Sequence, residues 1–546
     1  VPDPGNARHV FSLSQFLGLQ RNDTRTWTSQ DIRPGDPQGA IGARRNWDTW
    51  GKNLPDQVLG NAMHPANWDS PIALSPFDSS TILAGAKHLF RSRDRGTTWE
   101  DLGDMTTGVD RATLPLMGRM PDETVLSVDD GVPYYPGIVS IAMSPLSKGL
   151  VYVGTDDGRL RMSGDDGRTW TDLQDRLPGL PASSWFGGIE ASRHNAGTVY
   201  VAADNHRSND LENHAYKSTD GGKTFVSIAG DMPARRVVRT IREDVKNPNL
   251  LFAGTELGLF FSPNAGTNWI EIQNNMPTLA HNDLVIHPRD NDLVLGTHGR
   301  GVWILDKINA LQELTPQVVA SPAHLFSVAP AYQIRQANLG AHTGDMWFRG
   351  ENPANGALID YWLGTAGTAP DITVHTAGGQ IVNRLRATSL RGVNRTVWNL
   401  READLPLRAG GGDDDEGQGS RATPGPLVAP GVYTVRMASA GTTLEQKVEV
   451  REDPRIDISP AERKQWTDAV SQITALVRTY APVNDRIQKL PGTGADVVDL
   501  KRQSRELVSR ISGLYNAVGR WTGAPTKDQL SRLAYYQTMA KELADR

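Results

Sequence analysis

Short apolar runs separated by turn residues recur along the first half of the chain. The clearest copy is VVRTIREDVKNPNLLFAGTELGLFFSPNAGTNWIEI. Its alternation and its Gly, Pro and Asn positions predict strands over Val238–Glu243, Leu250–Gly254 and Gly258–Ser262. A tight turn and a fourth strand starting at Trp269 follow. Four antiparallel strands in one repeating unit predict the blade of a β-propeller.

An eight-residue box stands at the same place in each repeat, between the third and fourth strands. Its copies are SRDRGTTW from Ser92, SGDDGRTW from Ser163, STDGGKTF from Ser218 and SPNAGTNW from Ser262. The Ser and Asp side chains suit hydrogen bonds to turn N–H groups, and the Gly suits positive φ. The third position is Asp94, Asp165, Asp220 and then Asn264. Because Asn keeps the turn bond without a charge, we interpret the box as structural rather than catalytic.

The last residue of the box is aromatic in every copy. These residues are Trp99, Trp170, Phe225 and Trp269. Large aromatic side chains beside a turn are expected to enter a hydrophobic layer, here the layer beside the next blade.

The repeats at the two ends of the array are incomplete. HVFSLSQFLGLQRNDTRTW lacks a first strand, and DLVIHPRDNDLVLGTHGRGVWILD lacks the box. Residues 1–320 are therefore predicted to form a β-propeller of seven blades, incomplete at its N-terminus. Uneven box spacing indicates loop insertions at Thr106–Pro136 and Asp204–His214, and loops of such length often carry function.

The remainder of the chain changes its pattern twice. After a linker at 321–344, alternating strands predict an immunoglobulin-like β-sandwich over 345–453. Capping boxes at Ser459 and Thr526 predict an α-helical hairpin or three-helix bundle over 454–546, with helices from Pro460 to about Tyr480 and over Asp496–Trp521. The acids of the 409–426 loop (Asp413, Asp414, Asp415 and Glu416) are a possible Ca²⁺ site, although a solvated loop is favoured. No other cofactor is expected.

Composition narrows the class of protein. The 546 residues are 38% hydrophobic and 22% charged, with a net charge of -5 and no cysteine. A net negative charge does not indicate nucleic-acid binding, and no apolar run is long enough for a membrane span. The absence of cysteine excludes disulfides and thiolate chemistry and fits an exported protein. Because the chain opens in the middle of a repeat, a missing N-terminal propeller segment or another chain is an expected partner.

The box resembles S-x-D-x-G-x-T-W, the Asp-box or BNR repeat of sialidases, two-propeller xyloglucanases and sortilin-type receptors. The phrases EASRHNAGTVYVAADNHRSND, KNPNLLFAGTELGLF and HPRDNDLVLGTHGRGVWILD resemble large exported bacterial proteins labelled "BNR-repeat glycosyl hydrolase" or "sortilin-like". The resemblance implies a secreted, periplasmic or cell-surface location. It also implies that this chain corresponds to the C-terminal half of a longer family member.

Candidate ligand residues come from the predicted innermost strands and the loops beside them. Aligning IALSP, IAMSP, IEASR, IREDV and LVIHP puts Glu190 and Arg242 at the same position of neighbouring blades. They suit either an ion pair that locks two blades, which we favour, or a polar ligand site. The other candidates are the polar or aromatic residues Trp185, His194, Asp204, His206, Arg207, Asp210, His298 and Arg300.

Three functions remain open on the sequence. The leading hypothesis is an exported binding or scaffold propeller that recognises a glycan, peptide or protein. The first alternative is a sialidase- or xyloglucanase-like glycoside hydrolase with its site between this propeller and an upstream one, which needs two converging carboxylates. The second is a subunit of a larger extracellular assembly.

Overall fold

A computed structural model describes residues 1–34, 66–125, 128, 135–335, 350, 352–408, 422–521 and 523–546. It divides into two compact units, Val1–Gln312 and Glu313–Arg546. The acidic residues Asp413–Glu416 and part of the 106–136 insertion lie outside the described residues.

The described residues of the first unit form six antiparallel sheets that follow one another along the chain. Blade 1 contains β1 (His9–Ser14), β2 (Gly18–Asp23) and β3 (Thr28–Asp31). Blade 2 contains β4 (Ile72–Leu74), β5 (Ile82–Gly85), β6 (His88–Ser92) and β7 (Glu100–Asp104). Blade 3 contains β8 (Ile138–Met143), β9 (Val151–Thr155), β10 (Leu160–Ser163) and β11 (Thr171–Asp172). Blade 4 contains β12 (Trp185–Ala191), β13 (Val199–Asn205), β14 (Asp210–Ser218) and β15 (Val226–Ser227). Blade 5 contains β16 (Val238–Glu243), β17 (Leu251–Thr255), β18 (Gly258–Ser262) and β19 (Ile270–Ile272). Blade 6 contains β20 (His281–Ile286), β21 (Leu293–Thr297) and β22 (Val302–Leu305).

Neighbouring blades share hydrophobic cores. Tyr200 and Ala202 of blade 4, for example, belong to one buried cluster with Ile241 and Leu251 of blade 5. Because the middle strands are covered on both faces, their sequences are almost continuously apolar, as in LFAGT of β17. Successive four-stranded antiparallel sheets packed face to face define a β-propeller. The mainly β fold class is confirmed, and the count of seven blades stays a prediction.

The box closes its turn with hydrogen bonds. In blade 4 the Ser218 hydroxyl accepts from the Gly222 N–H at 2.9 Å and donates to Asp220 at 2.8 Å. Asp220 in turn accepts from the N–H and the hydroxyl of Thr224 at 3.0 and 2.7 Å. These bonds hold the pKa of the exposed Asp220 carboxyl well below its usual range. Asn264 keeps the equivalent bonds to Ser262 and Asn268.

The aromatic residue of the box packs on the preceding blade, not on the next one as predicted. The Trp269 indole N–H donates to the Ile228 carbonyl of blade 4 at 2.8 Å. The box glycine has the same neighbour, since a Cβ on Gly266 would lie 2.7 Å from the Ile228 Cβ, and its φ is +93°. Glycine is therefore required both by backbone conformation and by close contact.

Replacing Ser218 by Ala is expected to destabilise the first unit by about 1–2 kcal/mol, because the buried Gly222 N–H loses its acceptor. Urea unfolding of the two proteins measures the difference. The control is Thr219→Ala, a substitution of the exposed neighbour in the same turn. Equal stabilities of the two variants would contradict a structural role for the box serine.

The second unit begins with a β-sandwich. One sheet has the order β23 (Ala323–Leu325), β25 (Ala357–Leu363), β28 (Gly392–Trp398). The other has the order β24 (Ala331–Tyr332), β32 (Thr442–Arg451), β31 (Gly431–Ser439), β26 (Asp371–His375), β27 (Ile381–Leu385). A small separate sheet pairs β29 (Leu405–Arg408) with β30 (Ala422–Thr423). The two larger sheets enclose one core that includes Tyr361, Trp398 and Val435. This is the two-sheet architecture of immunoglobulin-like domains.

The predicted linker at 321–344 is wrong in its first part. β23 and β24 lie in that segment, and each joins a different sheet of the sandwich. β24 is only two residues long and pairs in parallel with the end of β32, so no local alternation could reveal it. The compact unit accordingly starts at Glu313 and not near residue 345.

Two short helices, α1 (Asn309–Glu313) and α2 (Pro316–Ala320), precede the sandwich. Three longer ones end the chain: α3 (Pro460–Gln488), α4 (Ala495–Arg520) and α5 (Lys527–Asp545). Both predicted capping boxes are present, at Ser459 and Thr526. α3 runs beyond the predicted end at Tyr480 and contains Pro482. The turns after the proline bury Ile487 in the helical core, which offsets the lost backbone hydrogen bond. No helix among the described residues is both long and apolar enough to cross a membrane.

Candidate functional site

The two ends of the propeller blades carry different sets of candidate residues. We call the end where each first strand begins the upper end, and the end where it turns into the second strand the lower end. Antiparallel pairing brings the second-to-third turn to the upper end, as the pairing of Trp185 with Asp204 shows. Trp185, Asp204, His206 and Arg207 thus lie at the upper end. Glu190, His194 and Arg242 lie at the lower end, so the predicted single cluster is divided.

The lower-end pair Glu190–Arg242 lies across the boundary between blades 4 and 5. Both residues occupy the predicted equivalent register, opposite Tyr200 and Phe252. The closest Glu190–Arg242 contact is 3.8 Å, whereas Arg242 approaches Asp283 of blade 6 to 2.7 Å. Burial raises the pKa of Glu190, and the Arg242 charge opposes that shift. The geometry fits the ion-pair interpretation, with Arg242 linking three blades.

A carboxylate that the sequence did not single out is more firmly held at this end. Glu243 is buried and accepts from the Ser192 hydroxyl at 2.7 Å, the Arg193 N–H at 2.8 Å and the Tyr200 hydroxyl at 3.0 Å. All three donors belong to blade 4. His194 lies beside them and bonds the Asp244 carbonyl at 2.8 Å. The Glu243 carboxylate and the His194 ring are therefore bonded within the protein.

The upper end contains a charged network around Asp204. Its carboxylate bonds His206 at 2.7 Å and pairs with Arg239, which also pairs with Glu256. Burial alone would raise the pKa of Asp204, but the His206 hydrogen bond and the Arg239 charge lower it overall. Asp210, one residue beyond the short helix 206–208, bonds His214 at 2.7 Å.

Arg207 lies over the Trp185 ring, with its guanidinium carbon 4.6 Å from the ring centroid. The 106–136 insertion contacts it, since the Met117 N–H donates to the Arg207 carbonyl at 2.5 Å. The same insertion brings Arg111 over the ring of Tyr135 at 5.6 Å. Burial lowers the pKa of Arg207, and the nearby Arg111 charge adds to the effect. Two guanidinium groups thus converge at the upper end.

Two adjacent buried carboxyl groups lie beside these arginines in the turn between β9 and β10. Asp156 is 3% exposed and accepts from the Gly137 N–H at 2.7 Å and the Asn67 amide at 2.5 Å. Burial, reinforced by the Asp157 charge, raises the pKa of Asp156 to about 8. Asp157 is 1% exposed and accepts from the hydroxyls of Thr107 and Thr155 at 2.6 Å each. At neutral pH the Asp156 carboxyl is therefore mostly protonated.

An open groove of about 530 Å³ adjoins Asp157 on the upper end of blades 3 and 4. Its apolar lining residues are Val109, Leu177, Leu180, Pro181, Ala182 and Phe186, and its polar ones include Thr107, Gln174 and Ser183. The Gln174 side-chain carbonyl is buried and accepts no hydrogen bond from the described residues. The groove therefore offers an apolar floor and one free acceptor.

His298 and Arg300 do not join this cluster. Both are exposed in the turn between β21 and β22, and no contact of either side chain is recorded within the described part of the chain. No group of three or more acidic or histidine side chains among the described residues is placed to hold a metal ion.

The residues missed on the sequence are Arg111, Tyr135, Asp156 and Asp157. One signal was available for Asp156: an acid stands at or just after the end of the second strand in three consecutive blades, at Asp156, Asp204 and Glu256. Arg111 and Tyr135 gave no such signal, because only tertiary folding of the insertion brings them to Arg207.

No family model matches the chain, and no curated protein matches it. Among solved structures it is similar to the GH74 xyloglucanase from Xanthomonas campestris, at 16% identity and TM-score 0.39, over 83% of this chain and 60% of that one. It is similar to an ancestral GH74 enzyme at 12% identity and TM-score 0.33, over 70% and 53% of the two chains. YCF48 bound to D1 peptide is similar at 17% identity and TM-score 0.25, over 45% and 72%.

These neighbours are glycoside hydrolases and other propellers of distant sequence. The chain spans 60% and 53% of the length of the two GH74 enzymes. At such TM-scores the likeness carries no functional argument, so the fold assignment rests on the sheets themselves.

Proposed function

We propose that this chain is an exported, Asp-box-type propeller protein that binds its ligand without catalysis at the upper end of blades 3 to 5. The observation that supports this proposal is a group of open polar atoms close to one groove. The Tyr135 hydroxyl and the Gln174 carbonyl are buried without a hydrogen-bond partner among the described residues, and the half-buried Arg207 guanidinium also makes no hydrogen bond there. Other buried atoms without a partner, such as the Tyr152 hydroxyl and the Trp170 indole N–H, lie apart from that groove. Buried polar groups in folded proteins are normally bonded, so groups left open beside a groove favour a ligand site.

The carboxyl geometry favours binding over hydrolysis. A glycosidase needs an acid and a second carboxylate that both reach the substrate, about 5–10 Å apart. Asp156 has the raised pKa of an acid, but Asp156 and Asp157 are 3% and 1% exposed and already accept hydrogen bonds. Neither presents a free oxygen to an open cleft.

A second candidate function, a part of a larger propeller or assembly, is favoured by blade 6. This sheet has three strands, and the face pointing away from its core exposes Val285, Val302 and Ile304 by 54%, 69% and 56%. An apolar face of this kind is what another blade or chain would bury. Both functions are compatible, because the upper end and this face do not share residues.

A bulky residue in the groove tests the binding proposal. Ala182→Trp is expected to weaken, by tenfold or more, the binding of any ligand that wild-type protein retains on glycan and peptide arrays. Ala182 is exposed and lines the groove, so the indole fills the site without disturbing a core. Surface plasmon resonance with the retained ligand gives the ratio of dissociation constants.

The matched control is Ala196→Trp, which places the same exposed side chain in the lower-end turn after β12. Loss of binding in that variant alone would put the ligand at the lower end and overturn the assignment. Turnover of xyloglucan or a sialoside by the wild-type protein would overturn the non-catalytic part of the proposal.

A further inference from the structure

The buried Arg111 and the half-buried Arg207 differ from the other buried and half-buried arginines near the blade boundaries. Arg91, Arg239 and Arg242 each pair with at least one carboxylate. Arg111 is only 7% exposed, yet its side chain donates a hydrogen bond solely to the Val128 carbonyl within the described chain. Arg207 makes no side-chain hydrogen bond to any described residue. Buried guanidinium groups without a carboxylate are costly, so a missing anion is the expected explanation.

The nearby acids that the structure describes do not supply that anion. Asp204 is already bonded by His206 and Arg239, and Glu256 also pairs with Arg239. Asp157 accepts from Thr107 and Thr155. Asp156 accepts from Gly137 and Asn67 and is mostly protonated at neutral pH. Among the described residues Arg111 and Arg207 therefore lack a carboxylate partner, and the Tyr135 hydroxyl adds a buried donor without an acceptor.

The geometry of Arg207 favours a planar anion. The centre of the Trp185 ring lies 4.6 Å from the Arg207 guanidinium carbon and shields that side of the group, while the guanidinium N–H groups remain available as donors. The N–H edge of a guanidinium matches the two oxygens of a carboxylate. The Tyr135 hydroxyl is a third donor of the kind that a carboxylate oxygen accepts.

The adjoining groove favours a peptide over a sugar acid. Phe186 and Asp157 line the groove, and their chain neighbours Trp185 and Asp156 lie beside Arg207. The floor is formed by aliphatic side chains and proline, which suit an apolar amino-acid side chain. Phe186 is fully buried, so it offers no open aromatic face for a sugar ring.

We infer that Arg111, Arg207 and Tyr135 bind a carboxylate of a peptide ligand whose apolar side chain occupies the groove. This inference rests on the proposed binding function and specifies its ligand class.

Three immobilised hexapeptide libraries test it. The first has free C-termini and no Asp or Glu, the second has amidated C-termini with Asp and Glu, and the third is amidated without Asp or Glu. Wild-type protein is expected to bind the first or second at least tenfold more tightly than the third. Arg207→Gln and Arg111→Gln are expected to lose this preference, and Arg207→Lys to keep part of it. Arg119→Gln, an exposed arginine of the same insertion, is the control and should bind like wild type.

Other outcomes overturn the inference in distinguishable ways. If the third library binds as tightly as the other two, the ligand does not need a carboxylate, and the proposed binding function still stands. Arg207-dependent binding of oligogalacturonate, with no peptide bound, makes the ligand an acidic glycan. If inorganic phosphate displaces the bound peptide more strongly than acetate does, the group that binds the two arginines is a phosphate and not a carboxylate. No retention of any library overturns the peptide class, and the array experiment with Ala182→Trp then decides the binding function independently. Thermal melting of each variant checks that the fold is retained.

Discussion

Replacing Asp156 by Asn is expected to destabilise the first unit at pH 4, because the Gly137 N–H and the Asn67 amide each bond a different side-chain oxygen, and to lose this penalty as pH rises to 8. The folded-state pKa of Asp156 is about 8, whereas an unfolded Asp titrates near 4. Between these values the folded chain holds a proton that the unfolded chain has released. The wild-type free energy of unfolding therefore falls as pH rises, by at most about 1.4 kcal/mol per pH unit from this group. Because Asn is neutral at every pH, the free energy of unfolding of the variant does not fall with pH through this group.

The measurement is the free energy of unfolding of wild type and Asp156→Asn in urea at pH 4, 6 and 8. The difference between the two proteins should shift steadily in favour of the variant, by several kcal/mol between pH 4 and pH 8, a large fraction of the stability of a domain. Asp175→Asn changes an exposed carboxyl near the same groove and should show no such shift. A difference that is constant with pH would mean that Asp156 is ionised in the folded protein.

The blades were predictable because their determinants are local. The predicted strands Val238–Glu243 and Gly258–Ser262 agree residue for residue with β16 and β18. The Ser and Asp side chains of each box close its turn within eight residues, and the capping boxes at Ser459 and Thr526 involve contacts three residues apart. The local sequence pattern was sufficient to predict an element wherever the contacts that stabilise it are between residues close in sequence.

The remaining errors involve contacts between distant segments. β24 is two residues long and exists because it pairs with the end of β32. α3 continues through Pro482 because the buried Ile487 compensates for the proline. The candidate site shows the same limit: Asp204, His206 and Arg207 were found from one polar stretch, and Trp185 from its place near Glu190. Arg111 reaches them only when the insertion folds back.

Glu190 and Glu243 show a limit of aligning the inner strands to find the carboxylate that joins two blades. Both lie at the lower end, and the alignment of inner strands selected Glu190 because it faces the same way as Arg242. Its contacts with Arg193 and Arg242 are nevertheless 3.8 Å each, and Arg242 has a closer partner in Asp283. Glu243 is buried and joins blade 5 to blade 4 through three donors.

Replacing Glu243 by Ala is accordingly expected to cost about 3–5 kcal/mol, because the Ser192 and Tyr200 hydroxyls and the Arg193 N–H lose their acceptor in a site without room for rearrangement. Glu190→Ala should cost less than about 1 kcal/mol, since its ion pairs are long. Urea unfolding gives both values, and hydrogen exchange at the β12–β16 boundary should rise in Glu243→Ala alone. A larger loss of unfolding free energy in Glu190→Ala than in Glu243→Ala would contradict this expectation. The predicted Glu190–Arg242 pair would then be the main stabilising contact between the two blades. If Glu243 contributes more to stability than Glu190, as the structure leads us to expect, Glu243 is the residue that fixes blade 5 to blade 4 at the lower end. The open polar groups of the upper end then lie on a rigid pair of blades, which suits a ligand site.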